Sequence, residues 1–465
     1  MESVFIHNIV KTSILLVISL CIISWAIYHY IKSKRMSWFP CLMGVLALII
    51  MGMGIRILCN NVRYYDLWEK IYRTPQMQYI QDIVLTKEEC VDDFKEIMKI
   101  VEANYQEVAR HKNIDLKKLH VDYQAKVAVV EDAEEYASLL LKYFSSLQNM
   151  HTNLYFQRYK SHIPLVTRND SVWISQSREN LNLKRKDLIL SIDGVPTADV
   201  IRQSMDIIPA SIDAVRRKYA ALNVLNSYTD TCKIITIQRN DSIFSLKIPL
   251  YKKLAFVSDS KEEKMTFDKT LPAVTAMLKE ELNIGYIPIP DFSLGSVKCF
   301  TQFLDSLREC PHLILDVRNN PGGKALHVIY VAKKLIDKEK TIDNLTIVRD
   351  SLYYKGKIYI LMNEMSASAA EYLVAVLKGQ HNVVVIGQRS GGDCGSSAYN
   401  FRTSHGIEFR LATQPAFLLP DGITYSEGEG IMPDIEVREL LPWEEGSSTL
   451  LKAIELIVVE RKNKS

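Results

Sequence analysis

The chain has 465 residues, more than one ordinary domain, so roughly two to four folding units are expected. Its 57 Lys and Arg against 54 Asp and Glu leave a formal charge of only +3, and no basic field marks a nucleic-acid-binding protein. Eight cysteines form no C-x-x-C pair and no Cys/His ligand spacing, and the glycine loop Ser390 to Ser397 lacks the Lys-Ser/Thr ending of a phosphate loop, so no metal or other cofactor is expected.

Residues 1–75 read as a transmembrane helical hairpin with spans at about 13–31 and 37–59. Ile14 to Ile31 and Trp38 to Ile55 contain no Asp, Glu, Lys or Arg, and each is close to the ~18–20 apolar residues needed to cross a bilayer. The link Lys32-Ser33-Lys34-Arg35 is basic, which favours the cytoplasmic side for it and an extracytoplasmic position for everything after the second span. Arg56 and Arg63 reduce that asymmetry. A lipid bilayer, of the bacterial inner-membrane type, is thus an expected partner. Tyr64, Tyr65, Trp68 and Tyr72 suit the interface that follows.

Residues 76–160 read as a helical region. Thr86-Lys87-Glu88-Glu89 opens a helix with a capping box, and Val91, Phe94, Ile97, Met98, Val101 and Tyr105 recur at helical spacing. A second helix is predicted from Ala133 to Leu147, just before Asn149-Met150-His151-Thr152. Residues 165–252 read as a small module of mostly strands, with a turn at Asp193-Gly194 and a hairpin around Asn240-Asp241. Asp187-Leu188-Ile189-Leu190-Ser191-Ile192-Asp193-Gly194 resembles the G-D-x-I-L-x-I-[DN]-G stretch of PDZ domains, with Lys186 in place of the first glycine. Such domains add a peptide strand to a sheet edge; a module that only covers a cleft is the alternative. Lys252 to Glu280 is charged and helix-prone and bridges to residues 253–465, where strand and helix patterns alternate to residue 390 and a β segment spans Gly406 to Val437.

Three segments of this last region carry chemistry. Leu313 to Val317 runs as a buried strand into Arg318-Asn319-Asn320-Pro321-Gly322-Gly323. The strand Lys357 to Met362 leads into Ser366-Ala367-Ser368-Ala369-Ala370-Glu371 at the start of a helix. Gly430-Ile431-Met432-Pro433-Asp434 closes a glycine-rich loop. A serine at a strand-to-helix junction is first of all an N-cap, but the unpaired N–H groups and dipole there also stabilise negative charge. In this order the segments resemble the D-x-R-x-N-x-G-G, S-A-S-A-x-E and G-[VI]-x-P-D patterns of the serine peptidases that include the C-terminal-processing (tail-specific) proteases, tricorn and interphotoreceptor retinoid-binding protein. The resemblance extends over about residues 80 to 440 and implies an α/β fold with a crotonase/ClpP-like core, an enzyme of serine-peptidase type and a polypeptide substrate.

Carried over residue by residue, it implies Ser368 as nucleophile, with Ser366 as its neighbour, and oxyanion donors from the backbone of Ala369 and of Gly322 or Gly323. The tail-specific branch uses a lysine in a segment matching Gly387 to Gly395, where this chain has Asp393. A free carboxylate near pKa ~3.9 is poorly matched to deprotonating a serine, so the tricorn-like branch is the nearer one. Its histidine segment, similar to L-x-D-x-H-T, matches Leu147 to Thr152 with Asn149 at the Asp position. His151 is therefore the implied base, ahead of His327 and His405. The supporting carboxylate is Glu427, with Glu429 as competitor. Met150 stands where tricorn has a polar neighbour of the imidazole, and Cys394 lies in the glycine loop as a modifiable thiol. Hydrolysis of exported or membrane-proximal polypeptides is the expected function. A catalytically inactive ligand- or peptide-binding protein on the same scaffold is the alternative, and a crotonase-like acyl-CoA enzyme a more distant one.

Overall fold

The structure, a computed structural model, describes residues 80–253, 278–393, 398–413 and 427–464, with breaks at 157, 279, 343–344, 439 and 445–447, and isolated residues between 22 and 32. The two expected spans and the Lys252 to Glu280 bridge lie almost wholly outside the described residues, and Cys394 lies outside them. Among the described residues no helix is long and apolar enough to cross a membrane.

The centre is a five-stranded all-parallel sheet in the order Ile284–Pro288, His312–Asp316, Lys357–Met362, Val383–Gly387, Ile435–Glu436. Parallel strands are covered on both faces and read as unbroken apolar runs. All five residues of His312–Asp316 are accordingly buried. Helices Leu294–Ser306, Ala325–Ala332 and Ala369–Leu377 pack against one face, and Thr449–Lys464 contributes Ala453 and Ile457 to the core of the other. Every residue of Ala369–Leu377 is buried. The strand–helix alternation expected to residue 390 is present.

In the N-terminal region Thr86 and Glu89 form the predicted capping box on helix Lys87–His111. The second predicted helix runs Ala133–Ser146. Between them lies a helix absent from the sequence reading, Leu116–Val127, capped by Asp115. Its inner face includes His120 and Tyr123, which break the apolar pattern while serving as core residues.

The expected boundary at residue 253 does not hold. Strand Asn153–Leu154 pairs with Glu408–Ala412, which pairs with Ala398–Arg402. Phe409 and Leu411 share one core with Phe94, Tyr105 and Tyr143. The hairpin late in the chain is thus the floor on which the early helices pack, and it fixes the segment around residue 151.

The 165–252 module is a six-stranded sheet with two helices, Thr197–Met205 and Asp213–Leu222, that the strand-dominated reading left out. Asp193 and Gly194 turn with φ of 50° and 82°, and Arg239 pairs with Ser242 around Asn240-Asp241. Lys186 has φ 77°, a conformation glycine adopts freely and other residues rarely do, which explains the glycine usual at that place in PDZ-like sequences.

Candidate active site

The strand Lys357–Met362 ends in a turn braced by polar side chains. Asn363 Nδ2 donates to Asn319 Oδ1 at 2.9 Å, and Asn363 Oδ1 accepts from the N–H of Asn319 at 2.9 Å. Ser366 is fully buried and its hydroxyl donates to the Val317 carbonyl at 2.7 Å, so it acts as a strut of this turn. The N–H of Ala367 reaches the Asn320 carbonyl at 2.9 Å, locking the serine turn to the glycine-rich turn.

Ser368 follows with φ 55° and ψ −120°, a sparsely populated conformation for a residue with a Cβ. Such strain is held only where the surroundings over-determine it. Here Glu371, three residues on and fully buried, accepts from the Ser368 N–H at 2.9 Å. The same carboxylate accepts from Ser390 Oγ at 2.6 Å, Gly392 N at 2.7 Å and Asp393 N at 3.0 Å. Burial raises the Glu371 pKa although these donors favour the charged form.

His151 arrives from the opposite side. Gln148, with φ 51°, ends the helix Ala133–Ser146, and the Asn149 side chain accepts from the His151 N–H at 2.9 Å. Thr152 Oγ1 accepts from the Ala412 N–H at 2.9 Å, anchoring the segment to the hairpin floor. These contacts set His151 Nε2 3.0 Å from Ser368 Oγ. Burial, then Arg410 and Lys112, push the imidazole down to about 4. Among the described residues Nδ1 has no hydrogen-bond partner.

Two of the expected roles need correction. Gly322 is not a free donor, because its N–H is held by Asn320 Oδ1 at 2.8 Å. Its glycine identity is steric: a Cβ there would lie 2.6 Å from Ser368 Cβ, at φ 103°. Among the described residues the N–H groups of Gly323 and Ala369 have no such acceptor. Gly323 lines the cleft with Ser368 and His151. The expected direct contact between Glu427 and the imidazole is also not seen. The Glu427 carboxylate, 5% exposed, sits 2.9 Å from Lys112 Nζ and accepts from Asn149 Nδ2. It therefore reaches His151 through Asn149 and the main chain. Glu429 is exposed.

Asp393 is buried beside this group and accepts the Met150 N–H at 3.0 and 3.2 Å. Burial, then the Glu427 charge, hold its carboxyl well above the usual range. The Met150 side chain packs on Ala210, Ile212 and Val215 and offers the imidazole no polar group. His327 Nδ1 lies 2.7 Å from the Phe292 carbonyl, and His405 lies near Asp92 and Glu96; neither lines the cleft.

Lys112 and Arg410 escaped the sequence reading, and Asn320 figured there only as a letter of the motif, without a role. Lys112 lies in the bend after a helix, with a buried side chain that also donates to Ser211 Oγ at 2.6 Å, and nothing local signals it. Arg410 alternates with Phe409 and Leu411 in the strand Glu408–Ala412, where a charge on the face opposite the apolar residues reads as solvated. The cleft of about 420 Å³ is lined by Met150, His151, Tyr219, Gly323, Ser368, Asp393 and Arg410, among others. Among the described residues no cluster of His, Cys, Asp and Glu could hold a metal ion.

A serine hydroxyl at hydrogen-bond distance from an imidazole, beside main-chain N–H groups of Gly323 and Ala369 that have no acceptor among the described residues, is the arrangement of a serine hydrolase. Residues 283–437 match the family described as Peptidase family S41, and residues 167–250 match the Bacteroidetes S41 peptidase N-terminal domain. The chain belongs to peptidase family S41. It is 33% identical over 138 residues to a "Probable CtpA-like serine protease" of Staphylococcus epidermidis, covering 27% of each chain. It is 24% identical over 292 residues to a "Carboxyl-terminal-processing protease" of Picosynechococcus, covering 57% of this chain and 58% of that one. The matched part thus spans about a quarter and somewhat over half of these relatives' lengths. In fold it is similar to mature CPAF complexed with lactacystin, with a TM-score of 0.64 at 14% identity over 82% of this chain and 99% of that one. A second structure of mature CPAF gives 0.63.

Proposed function

We propose that the chain is a membrane-anchored serine endopeptidase that hydrolyses exported or membrane-proximal polypeptides through an acyl-enzyme on Ser368. The observation that carries this reading is the 3.0 Å contact between His151 Nε2 and Ser368 Oγ. Ser368 Oγ attacks the scissile carbonyl and its proton passes to His151 Nε2. The N–H groups of Ala369 and Gly323 receive the oxyanion of the tetrahedral intermediate. His151 returns the proton to the leaving amine, and a water then repeats the sequence to release the acyl group. Glu427 holds the His151 segment through Asn149. The two N-terminal apolar segments anchor the chain, and the basic link between them favours an extracytoplasmic site.

The test is a fluorophosphonate probe on the full-length chain in detergent. Labelling should map to Ser368 and vanish in Ser368→Ala. Labelling at another residue, or none, would remove the hydrolytic reading. Protease accessibility of the 80–465 part in intact against permeabilised cells tests its side of the membrane.

A further inference from the structure

On the strand Glu408–Ala412, Phe409 and Leu411 enter the core shared with the N-terminal helices, and Arg410 lies on the opposite face. The register sets Arg410 against Asn153, two residues beyond His151. Its side chain forms part of the cleft wall with Ser368, His151 and Gly323. A guanidinium inside a cleft ordinarily has an acid to pair with, because leaving water unpaired is costly. Among the described residues it has none. Glu408, on its own strand, leans towards Arg402 at 3.7 Å. Asp393, in the same wall, takes the Met150 N–H and faces Glu427 and Lys112. Glu427 is held by Lys112 and Asn149.

We propose that Arg410 is a subsite for a carboxylate of the bound polypeptide, supplied by an acidic side chain near the scissile bond or by a free C-terminus. The inference rests on the peptidase reading of the same cleft. A guanidinium presents paired donors in a plane that matches a carboxylate, so one such group fits a side chain that no described residue of the cleft engages. Position gives the pairing a second effect. Arg410 is one of the two cations that disfavour protonation of His151. A ligand carboxylate that neutralises it eases proton transfer from Ser368, so the preference should appear in kcat as well as in KM.

The experiment separates binding from turnover. Degenerate fluorescein-labelled peptides that differ at one position, Glu against Gln, each with a free or amidated C-terminus, are titrated into the full-length Ser368→Ala chain. Wild-type turnover of the same peptides is followed in parallel. One of the two carboxylates should tighten binding about tenfold, and which one does so identifies the source. The preference should collapse towards unity in Arg410→Gln, survive in part in Arg410→Lys, and turn towards Lys-containing peptides in Arg410→Glu. Equal binding of carboxylate and amide peptides, or a preference that survives Arg410→Gln, overturns the proposal. So does uniform weakening with an unchanged ratio, which marks a structural arginine, or no binding of any carboxylate peptide up to about 1 mM. Carboxylate preference without fluorophosphonate labelling would instead keep the subsite and remove the hydrolase.

Discussion

Replacing Glu371 with Gln tests whether one buried carboxylate holds the nucleophile in its strained turn. One carboxylate oxygen accepts from Ser390 Oγ and Gly392 N, the other from Asp393 N and Ser368 N. In the Gln variant the amide oxygen can serve Asp393 and Ser368, which turns the NH2 towards Gly392 N–H. Ser390 could accept from that NH2, but the backbone N–H of Gly392 cannot change role and is left buried without an acceptor. An unsatisfied buried donor costs about 1–3 kcal/mol, and the surviving bonds lose their charge assistance. Relief from burying a charge offsets part of this, so a net loss of about 2 kcal/mol is expected. Glu371→Ala orphans three backbone N–H groups and opens a cavity, and should cost ~4 kcal/mol or more. The effect on reactivity should exceed the effect on folding. The Ser368 conformation itself stores about 1–3 kcal/mol, and its N–H bond to Glu371 is part of what keeps it populated. Fluorophosphonate labelling of folded Glu371→Gln should therefore slow about a hundredfold. Urea midpoints and labelling rates on one preparation supply both numbers. A variant with wild-type midpoint and wild-type rate would refute the assignment of Glu371 as the strut.

Gly322→Ala, whose Cβ would meet Ser368 Cβ at 2.6 Å and Ala369 N at 2.9 Å, should abolish labelling of any folded protein; labelling at the wild-type rate would contradict the packing. Asp393→Asn should lessen the loss of stability towards alkaline pH. The native carboxyl has a raised pKa, so the folded chain keeps a proton that the unfolded chain releases above about 4, and stability falls as pH rises through that window. Urea midpoints at pH about 5 and 8 measure this, and an unchanged slope in the Asn variant would refute it. For His151 the sign is opposite. A base pushed down to about 4 stays neutral in weak acid, so labelling should hold from pH about 7 to about 5 and fall only below. A midpoint at the ordinary imidazole value counts against the burial argument.

What the sequence disclosed follows the range of the forces involved. The capping box at Thr86 and Glu89, the buried strand His312–Asp316 and the turn at Asp193-Gly194 are local, and each was readable from neighbouring residues. Ser368, His151 and Gly323 were reached through motif resemblance, since nothing in composition brings residues 151 and 368 together. The packing of the hairpin 398–412 beneath the early helices was not legible, because strand pairing between residues 153 and 410 leaves no trace in either segment alone. For the same reason Lys112 went unseen: a lysine at a helix end reads as solvated until its buried partners, Glu427 and Ser211, are placed around it. Which of Gly322 and Gly323 keeps a free N–H depends on where one Asn320 oxygen points, which a pattern of letters does not encode.

The charges around the site are divided in a way that bears on when it works. Glu427 is held at 2.9 Å by Lys112, so its charge does little to stabilise an imidazolium at His151. Asp393, pressed by burial and by Glu427, holds its proton more firmly than an ordinary carboxyl. Burial first, and then Arg410 and Lys112, act against protonation of His151. The ligand-free site therefore has its nucleophile and base in contact but disfavours the ion pair that proton transfer would create. If Arg410 takes a carboxylate from the polypeptide, the balance shifts only where such a ligand is bound. Specificity and part of the rate would then share one physical origin, the neutralisation of a single guanidinium, while burial goes on holding the imidazole down whether or not the carboxylate is present.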